Sequence, residues 1–170
     1  MNEGMKLIMT RRSIRRYQDA PVSEGDVETL LRAAMAAPSA GNCQPWHFVV
    51  VRERETMRRI MDVHPYSKML DHAPLCIAVV GDLSLEKHKG MWVQDCSAAT
   101  QNILLAAHAL GLGAVWLGVH PYEDRSTGVG EILGLPDGIL CLSLIAVGHP
   151  AQHPEPADRY DPSRVRSERW

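Results

Sequence analysis

The sequence predicts an α+β fold, and three features of its hydrophobic pattern carry that prediction. Short apolar or β-branched runs at Trp46–Val51, Leu75–Val80, Ala114–Leu117 and Ile139–Val147 are each fit for a strand. Amphipathic stretches are mixed among them without the clean βαβ alternation of a parallel sheet. The longest stretch, roughly 89–111, sets Trp92, Cys96, Ala99, Ile103, Ala107 and Leu110 in one stripe at three- and four-residue spacing. Ala98, Leu104, Leu105 and Ala106 widen that stripe, so this helix is expected at the centre and buried broadly. The expectation is about four strands with five or six helices.

Residues 4–12 read as a short helix running into Arg11-Arg12-Ser13-Ile14-Arg15-Arg16, four arginines in six positions. Ser23 is placed to cap the next helix, with Asp26 three residues on as a variant of the capping box. Val27, Leu30, Leu31, Ala34 and Met35 then recur at helical spacing. Pro38 stops that helix, and Ser39-Ala40-Gly41-Asn42 reads as a loop. Beyond the strand at Trp46, the stretch Arg54–Val63 puts Met57, Ile60 and Met61 on one side. Residues 64–72 form a polar connection with room for a helical turn. The run from Leu75 is continuously apolar, as a strand buried on both faces requires. Gly111 ends the long helix, and 122–133 reads as a helix weakened by Gly128 and Gly130. From Gly148 the character changes, because residues 149–170 hold four prolines and little apolar material. Such a segment cannot form its own core. One domain is therefore expected, with 1–148 as its body and 149–170 as an extension of it.

Composition narrows the function. The net charge of −2 and pI near 6.4 do not suit a dedicated nucleic-acid binder. No apolar run approaches the ~20 residues that span a bilayer, and Met1 to Thr10 lacks the layout of a signal peptide. Cys43, Cys76, Cys96 and Cys141 form no CxxC pair and lie in apolar segments, where cysteine acts as a small hydrophobe. Free thiols in a reducing cytoplasm are expected.

The usual catalytic signatures are missing. There is no GxxxxGK[ST], and Gly111-Leu112-Gly113 meets another glycine only at Gly118 and follows a helix, so the dinucleotide fingerprint fails. Eight histidines include no HExxH, and His149 and His153 lie in the proline-rich tail, so no metal site is expected. No GxSxG marks a nucleophile. Two segments remain. The arginine cluster is either a solvated basic face or a phosphate clamp, since guanidinium groups bind phosphate in a bidentate fork and Ser13 adds a hydroxyl. The stretch Ala37 to Phe48 is either a plain helix-to-strand loop or a partner set for a planar heterocycle. It carries two amides and a hydroxyl, fenced by Pro38 and Pro45.

These segments resemble the FMN-dependent nitroreductase family. Arg11 to Tyr17 followed by Pro21-Val22 is similar to the family's opening, and Ala37 to Phe48 to its second motif. Gln101 to Ala107, then Gly111-Leu112-Gly113 and Trp116-Leu117-Gly118, resemble the third. Gly148-His149-Pro150-Ala151 and Arg159-Tyr160-Asp161 resemble its C-terminal end. The resemblance implies a sandwich around a mostly antiparallel sheet flanked by helices, in an intertwined homodimer with FMN at the interface and 149–170 wrapped on the partner subunit.

It also implies residue roles. Arg11, Arg12, Ser13 and Arg15 match the segment on the FMN phosphate, ribityl chain and pyrimidine edge, with Arg15 tuning the ring. Pro38, Ser39, Asn42 and Gln44 match the loop lining the isoalloxazine. Val115, Trp116, Leu117 and Gly118 match the backbone on its N5 side, and Arg159 matches a C-terminal phosphate ligand. Leu117 stands where some relatives carry an acid, and Ala157 where some carry a lysine. The implied activity is ping-pong reduction of nitroaromatics, quinones or related small-molecule acceptors by NAD(P)H, with hydride passing through flavin N5 and no catalytic side chain. Two alternatives stay open: a dehalogenating or flavin-fragmenting enzyme of the same fold, and a flavin-binding protein without turnover.

Overall fold

A computed structural model of the chain describes residues 2–170. One antiparallel sheet has the order β1-β2-β4-β3, formed by β1 Trp46–Val51, β2 Leu75–Asp82, β3 Gly113–Gly118 and β4 Ile139–Gly148. Five α-helices accompany it: α1 Glu3–Thr10, α2 Glu24–Met35, α3 Arg54–Val63, α4 Trp92–Ala109 and α5 Glu123–Leu133. The α+β class and all four strands match the sequence pattern.

β2 and β4 lie in the middle, which is why they read as unbroken apolar runs. Leu75, Ile77 and Val79 pack with Leu30 of α2 and with Cys96, Ala99 and Ile103 of α4. Their neighbours Cys76, Ala78 and Val80 face the other way, onto Met57 and Ile60 of α3 and Val129 of α5. The alternation of strand side chains thus feeds two cores, one on each face of the sheet. Three of the four thiols are buried and all four are free. Burial pushes the Cys76 and Cys96 thiols up to about 12, so they pack as small hydrophobes and do not act as nucleophiles.

Local signals behave as their chemistry demands. The Ser23 hydroxyl oxygen accepts from the Asp26 N–H at 3.1 Å, and the hydroxyl donates to the Asp26 carboxylate at 2.7 Å. Helix α1 starts at Glu3, capped by Asn2, and ends at Thr10, short of the expected residue 12. The cause is tertiary. The chain leaves the helix at Arg11 and becomes extended, and the Ile14 N–H donates to the Ala114 carbonyl at 3.0 Å, laying the segment along the open edge of β3. Gly113 makes this approach feasible, because a Cβ there would stand 2.6 Å from Ile14 Cγ2. Gly128 plays the same part between α5 and α3, where a Cβ would lie 2.9 Å from Val63 Cβ.

Two features leave surface uncovered. Helix α1 buries none of its residues, and Met5, Ile8 and Met9 are about half exposed. The segment from His149 first follows the arginine strip, with the Ala151 N–H donating to the Arg16 carbonyl at 2.9 Å, and ends on a fully exposed Trp170. Its only regular element is a 3-10 turn at Pro162–Arg164. The accessible surface is 10118 Å², against roughly 8,300 Å² for a folded monomer of this mass.

Candidate functional site

The arginine strip and the tail build a basic cavity. Arg11, Arg12 and Arg159 line a hollow of about 340 Å³ with Ile8, Met9 and Tyr160. Partial burial, and then the charges of Arg12 and Arg159, push the Arg11 pKa below its ordinary value. Like charges gathered this way repel unless an anion sits among them. The hydrogen bonding points the same way: Arg11 Nη1 and Arg12 Nε are buried without an acceptor. A buried guanidinium N–H with no partner costs on the order of 1–3 kcal/mol, which a phosphate oxygen would remove. Ser13 is held in the strip by its bridge to Ala114.

Arg15 faces a second cavity at the far end of the same edge. That space is about 590 Å³ and is walled by Trp116, Leu117 and Gly118 of β3, by His64 and Lys68, and by Arg125 of α5. None of its lining residues is acidic. The Val115 side chain is buried in the core, so only its backbone is offered to a ligand. The same holds for most of Leu117, which is 4% exposed. A Cβ on Gly118 would meet nothing within 4 Å, so the glycine opens the wall instead of relieving a clash.

Register sharpens this edge. The Val119 N–H donates to the Leu142 carbonyl at 3.1 Å while Gly118 stands opposite Ser143. Gly118 is therefore in a non-hydrogen-bonded pair, and its own N–H and C=O point away from β4 to the open side. The carbonyl is engaged by two side chains, with His64 Nε2 at 2.9 Å and Arg125 Nη1 at 3.2 Å. The other His64 nitrogen, Nδ1, accepts from the Tyr66 N–H at 3.3 Å, which places the proton on Nε2 and keeps the ring neutral. Burial drives the His64 pKa below its ordinary value; the bond to Gly118 opposes this and the Arg125 charge adds to it. Arg125 itself lies 3.9 Å from the ring centroid of Tyr122 and 5.3 Å from that of Tyr66.

Pro38, Ser39, Asn42 and Gln44 lie elsewhere. They form the turn ahead of β1, on the opposite edge of the sheet from β3. Three intervening strand spacings put those edges about 14 Å apart. Neither cavity takes a residue from this turn. The turn is tightly built, with Gly41, Asn42 and Gln44 all at positive φ. Ser39 Oγ accepts from the Gln44 N–H at 3.0 Å, and Gln44 Nε2 donates to Asn42 Oδ1 at 2.9 Å. Buried Asp95, in the first turn of α4, accepts from the Ala40 N–H at 2.9 Å and pins the turn to the core.

Sequence reasoning missed His64, Lys68 and Arg125. No local motif marks them: His64 and Lys68 sit in the connection after α3, and Arg125 reads as one more polar helix residue. Only the packing of α3 and α5 on the same face of the sheet brings them to Gly118. Among the described residues, no group of histidine, cysteine and acidic side chains is arranged to hold a metal ion, and no helix is long and apolar enough to cross a membrane.

Comparison with known proteins agrees with this construction. The model of the nitroreductase family matches residues 8–64 and 61–149. A protein of Methanothermobacter thermautotrophicus, provisionally named NADH dehydrogenase/NAD(P)H nitroreductase, is 52% identical over 98% of this chain and 87% of its own. The crystal structure of a Parabacteroides distasonis protein under the same provisional name superposes with a TM-score of 0.97 at 39% identity, covering 100% of both chains. A provisionally named nitroreductase of Desulfovibrio desulfuricans, solved in complex with FMN, superposes with a TM-score of 0.87 at 34% identity, over 100% of this chain and 99% of its own. The strip of arginines along an open sheet edge, the glycine that opens its wall and these likenesses lead to one statement: the chain belongs to the nitroreductase family.

Proposed function

We propose that the chain is an NAD(P)H-dependent FMN oxidoreductase that reduces nitroaromatic, quinone or related small-molecule acceptors, and that it works as a homodimer. The observation that carries the reading is the gathering of Arg11, Arg12 and Arg159 in one hollow, where two of the three unpartnered buried guanidinium atoms among the described residues, Arg11 Nη1 and Arg12 Nε, lie. Three arginines converging on one small hollow suit a single terminal phosphate, as FMN has. Arg11, Arg12 and Arg159 would hold it, with Ser13 on the adjoining chain. Arg15 and Lys68 bring positive charge to the cavity beside Trp116 to Gly118, where negative charge on a reduced ring would be favoured. When bound, FMN supplies the two-electron chemistry between NAD(P)H and the acceptor. The chain binds and orients both and supplies no nucleophile of its own.

The position of the second motif supports the homodimer. Pro38, Ser39, Asn42 and Gln44 project from the edge opposite Arg15, so a ring lined by both sets draws the turn from a second copy. The half-exposed Met5, Ile8 and Met9, the surface excess and the coreless tail are what a second copy would cover. Residues 149–170 would wrap it, leaving 1–148 as the body of the domain. Four free thiols suit the reducing cytoplasm.

Acid release and chromatography of the bound flavin, with steady-state assays against a nitroaromatic and a quinone, test the proposal. One FMN per chain and turnover with either acceptor are expected. FAD, or no flavin, as the bound species would overturn it.

A further inference from the structure

His64 is almost completely buried, at 1% exposure, yet carries a titratable ring that the proposed chemistry does not use. Its partners explain it. The Gly118 carbonyl points away from β4, on an edge where backbone groups depend on side chains or ligands for their partners. It receives two donors, from elements far apart in sequence: His64 closes the C-terminus of α3, and Arg125 lies in the first turn of α5. Neither donor is free to wander. The Tyr66 N–H fixes the His64 tautomer, and two tyrosine rings confine the Arg125 guanidinium. Two convergent donors define the direction of a carbonyl where one would leave it a cone of freedom. This carbonyl lies in the peptide plane shared with Val119, whose N–H is held by Leu142, so the two donors pin that plane from its open side; through the φ and ψ of Gly118 this restrains the preceding peptide, whose N–H leaves the strand on the same open side.

Resting on the FMN reading above, we propose that His64 and Arg125 are positioning residues: together they lock the Gly118 backbone so that its N–H is presented to the isoalloxazine in the cavity beside it, and so set the redox poise of the bound flavin. The reasoning is that flavin ring nitrogens change between acceptor and donor on reduction. A fixed N–H therefore interacts differently with the two redox forms, and loosening it shifts the balance. Glycine at 118 has no side chain to restrain its own backbone, which is why the restraint must come from elsewhere.

The test is the midpoint potential of FMN bound to the full-length holoprotein, measured for wild type and for His64→Leu, His64→Gln and Arg125→Met. FMN content and unfolding midpoint are read alongside. His64→Leu and Arg125→Met should each shift the redox equilibrium about tenfold, about 30 mV for a two-electron couple, while FMN stays bound. His64→Gln keeps an amide N–H in the place of Nε2 and should return to within about twofold of wild type. A wholly structural role would lower the unfolding midpoint of the variants without moving the potential, and that result overturns the proposal. Should His64→Leu fail to fold, partly exposed Arg125 still gives the answer through Arg125→Met. If wild type takes up no flavin, the functional reading itself falls, and the positioning role with it. If wild type binds FMN and every variant keeps its potential, the positioning role alone is refuted.

Discussion

Replacing Gly113 by alanine tests whether the arginine strip depends on a close approach between two backbones. The added Cβ would stand 2.6 Å from Ile14 Cγ2, 2.7 Å from its Cβ and 3.0 Å from its Cγ1. Comfortable carbon–carbon contact is about 3.5–4.0 Å, so roughly 1 Å of separation is missing. A rotamer change cannot supply it, because one of the clashing atoms is the Ile14 Cβ, which moves only with its backbone. The strip must lift from β3, straining the bond from the Ile14 N–H to the Ala114 carbonyl. Overpacking of this kind costs about 1–3 kcal/mol. Arg11, Arg12 and Arg15 flank Ile14, so FMN should bind at least about tenfold more weakly, about 1.4 kcal/mol. Urea unfolding and titration of apoprotein with FMN, followed by quenching of flavin fluorescence, read the two effects. Gly130→Ala is the control: nothing lies within 4 Å of its Cβ position, and a helical alanine should stabilise by about 0.5–1 kcal/mol without touching FMN affinity. Unchanged stability and affinity in Gly113→Ala would refute the reasoning.

Three further outcomes are expected. Arg11→Ala should weaken FMN retention more than it slows turnover, whereas Arg15→Ala should do the reverse, losing about 2–4 kcal/mol of transition-state stabilisation; equal effects of both on affinity and rate, read by flavin titration and rapid mixing, would contradict their separate placement. Stability should fall as the pH drops below about 6.5, because burial holds the folded pKa of His64 and His108 below their unfolded value of 6.5, so the unfolded chain binds more protons in that range. The contribution is fully present above 6.5, and urea midpoints at about pH 7.5 and pH 5.5 should show the fall; His64→Gln should lessen it, and an undiminished slope in that variant would remove His64 from the explanation. Deleting residues 154–170 should weaken dimerisation and FMN binding together, and a fully flavinated dimer by light scattering and absorbance would show that the tail serves neither.

Much of this architecture was legible in the chain because burial is written into composition. β2 and β4 read as strands since both faces are covered, and α4 read as central since its apolar stripe is wide. The end of α1 was misplaced by two residues because local helical pattern lost to a tertiary bond, that from Ile14 to Ala114. Gly128 read as a flaw in α5, and its value appears only when Val63 is brought beside it. The arginines of the basic cavity announced themselves as a contiguous run, and Arg159 through its resemblance to the family's C-terminal end. The Gly118 anchor did not, because His64 and Arg125 come from separate helices and each alone has a bland reading. Nor does the sequence carry the distance between the turn from Pro38 to Gln44 and the strip from Arg11 to Arg15, which the fold sends to opposite edges of the sheet.

Under the proposed function this chain holds FMN that NAD(P)H can reduce. Mixing the purified holoprotein anaerobically with NADH and, separately, NADPH, while following the visible flavin band, tests it most directly. Rapid bleaching by at least one of the two nucleotides is expected, with return of the band when a quinone or nitroaromatic is added. A bound flavin that neither nucleotide bleaches near neutral pH would contradict it and leave a flavin-binding protein without turnover.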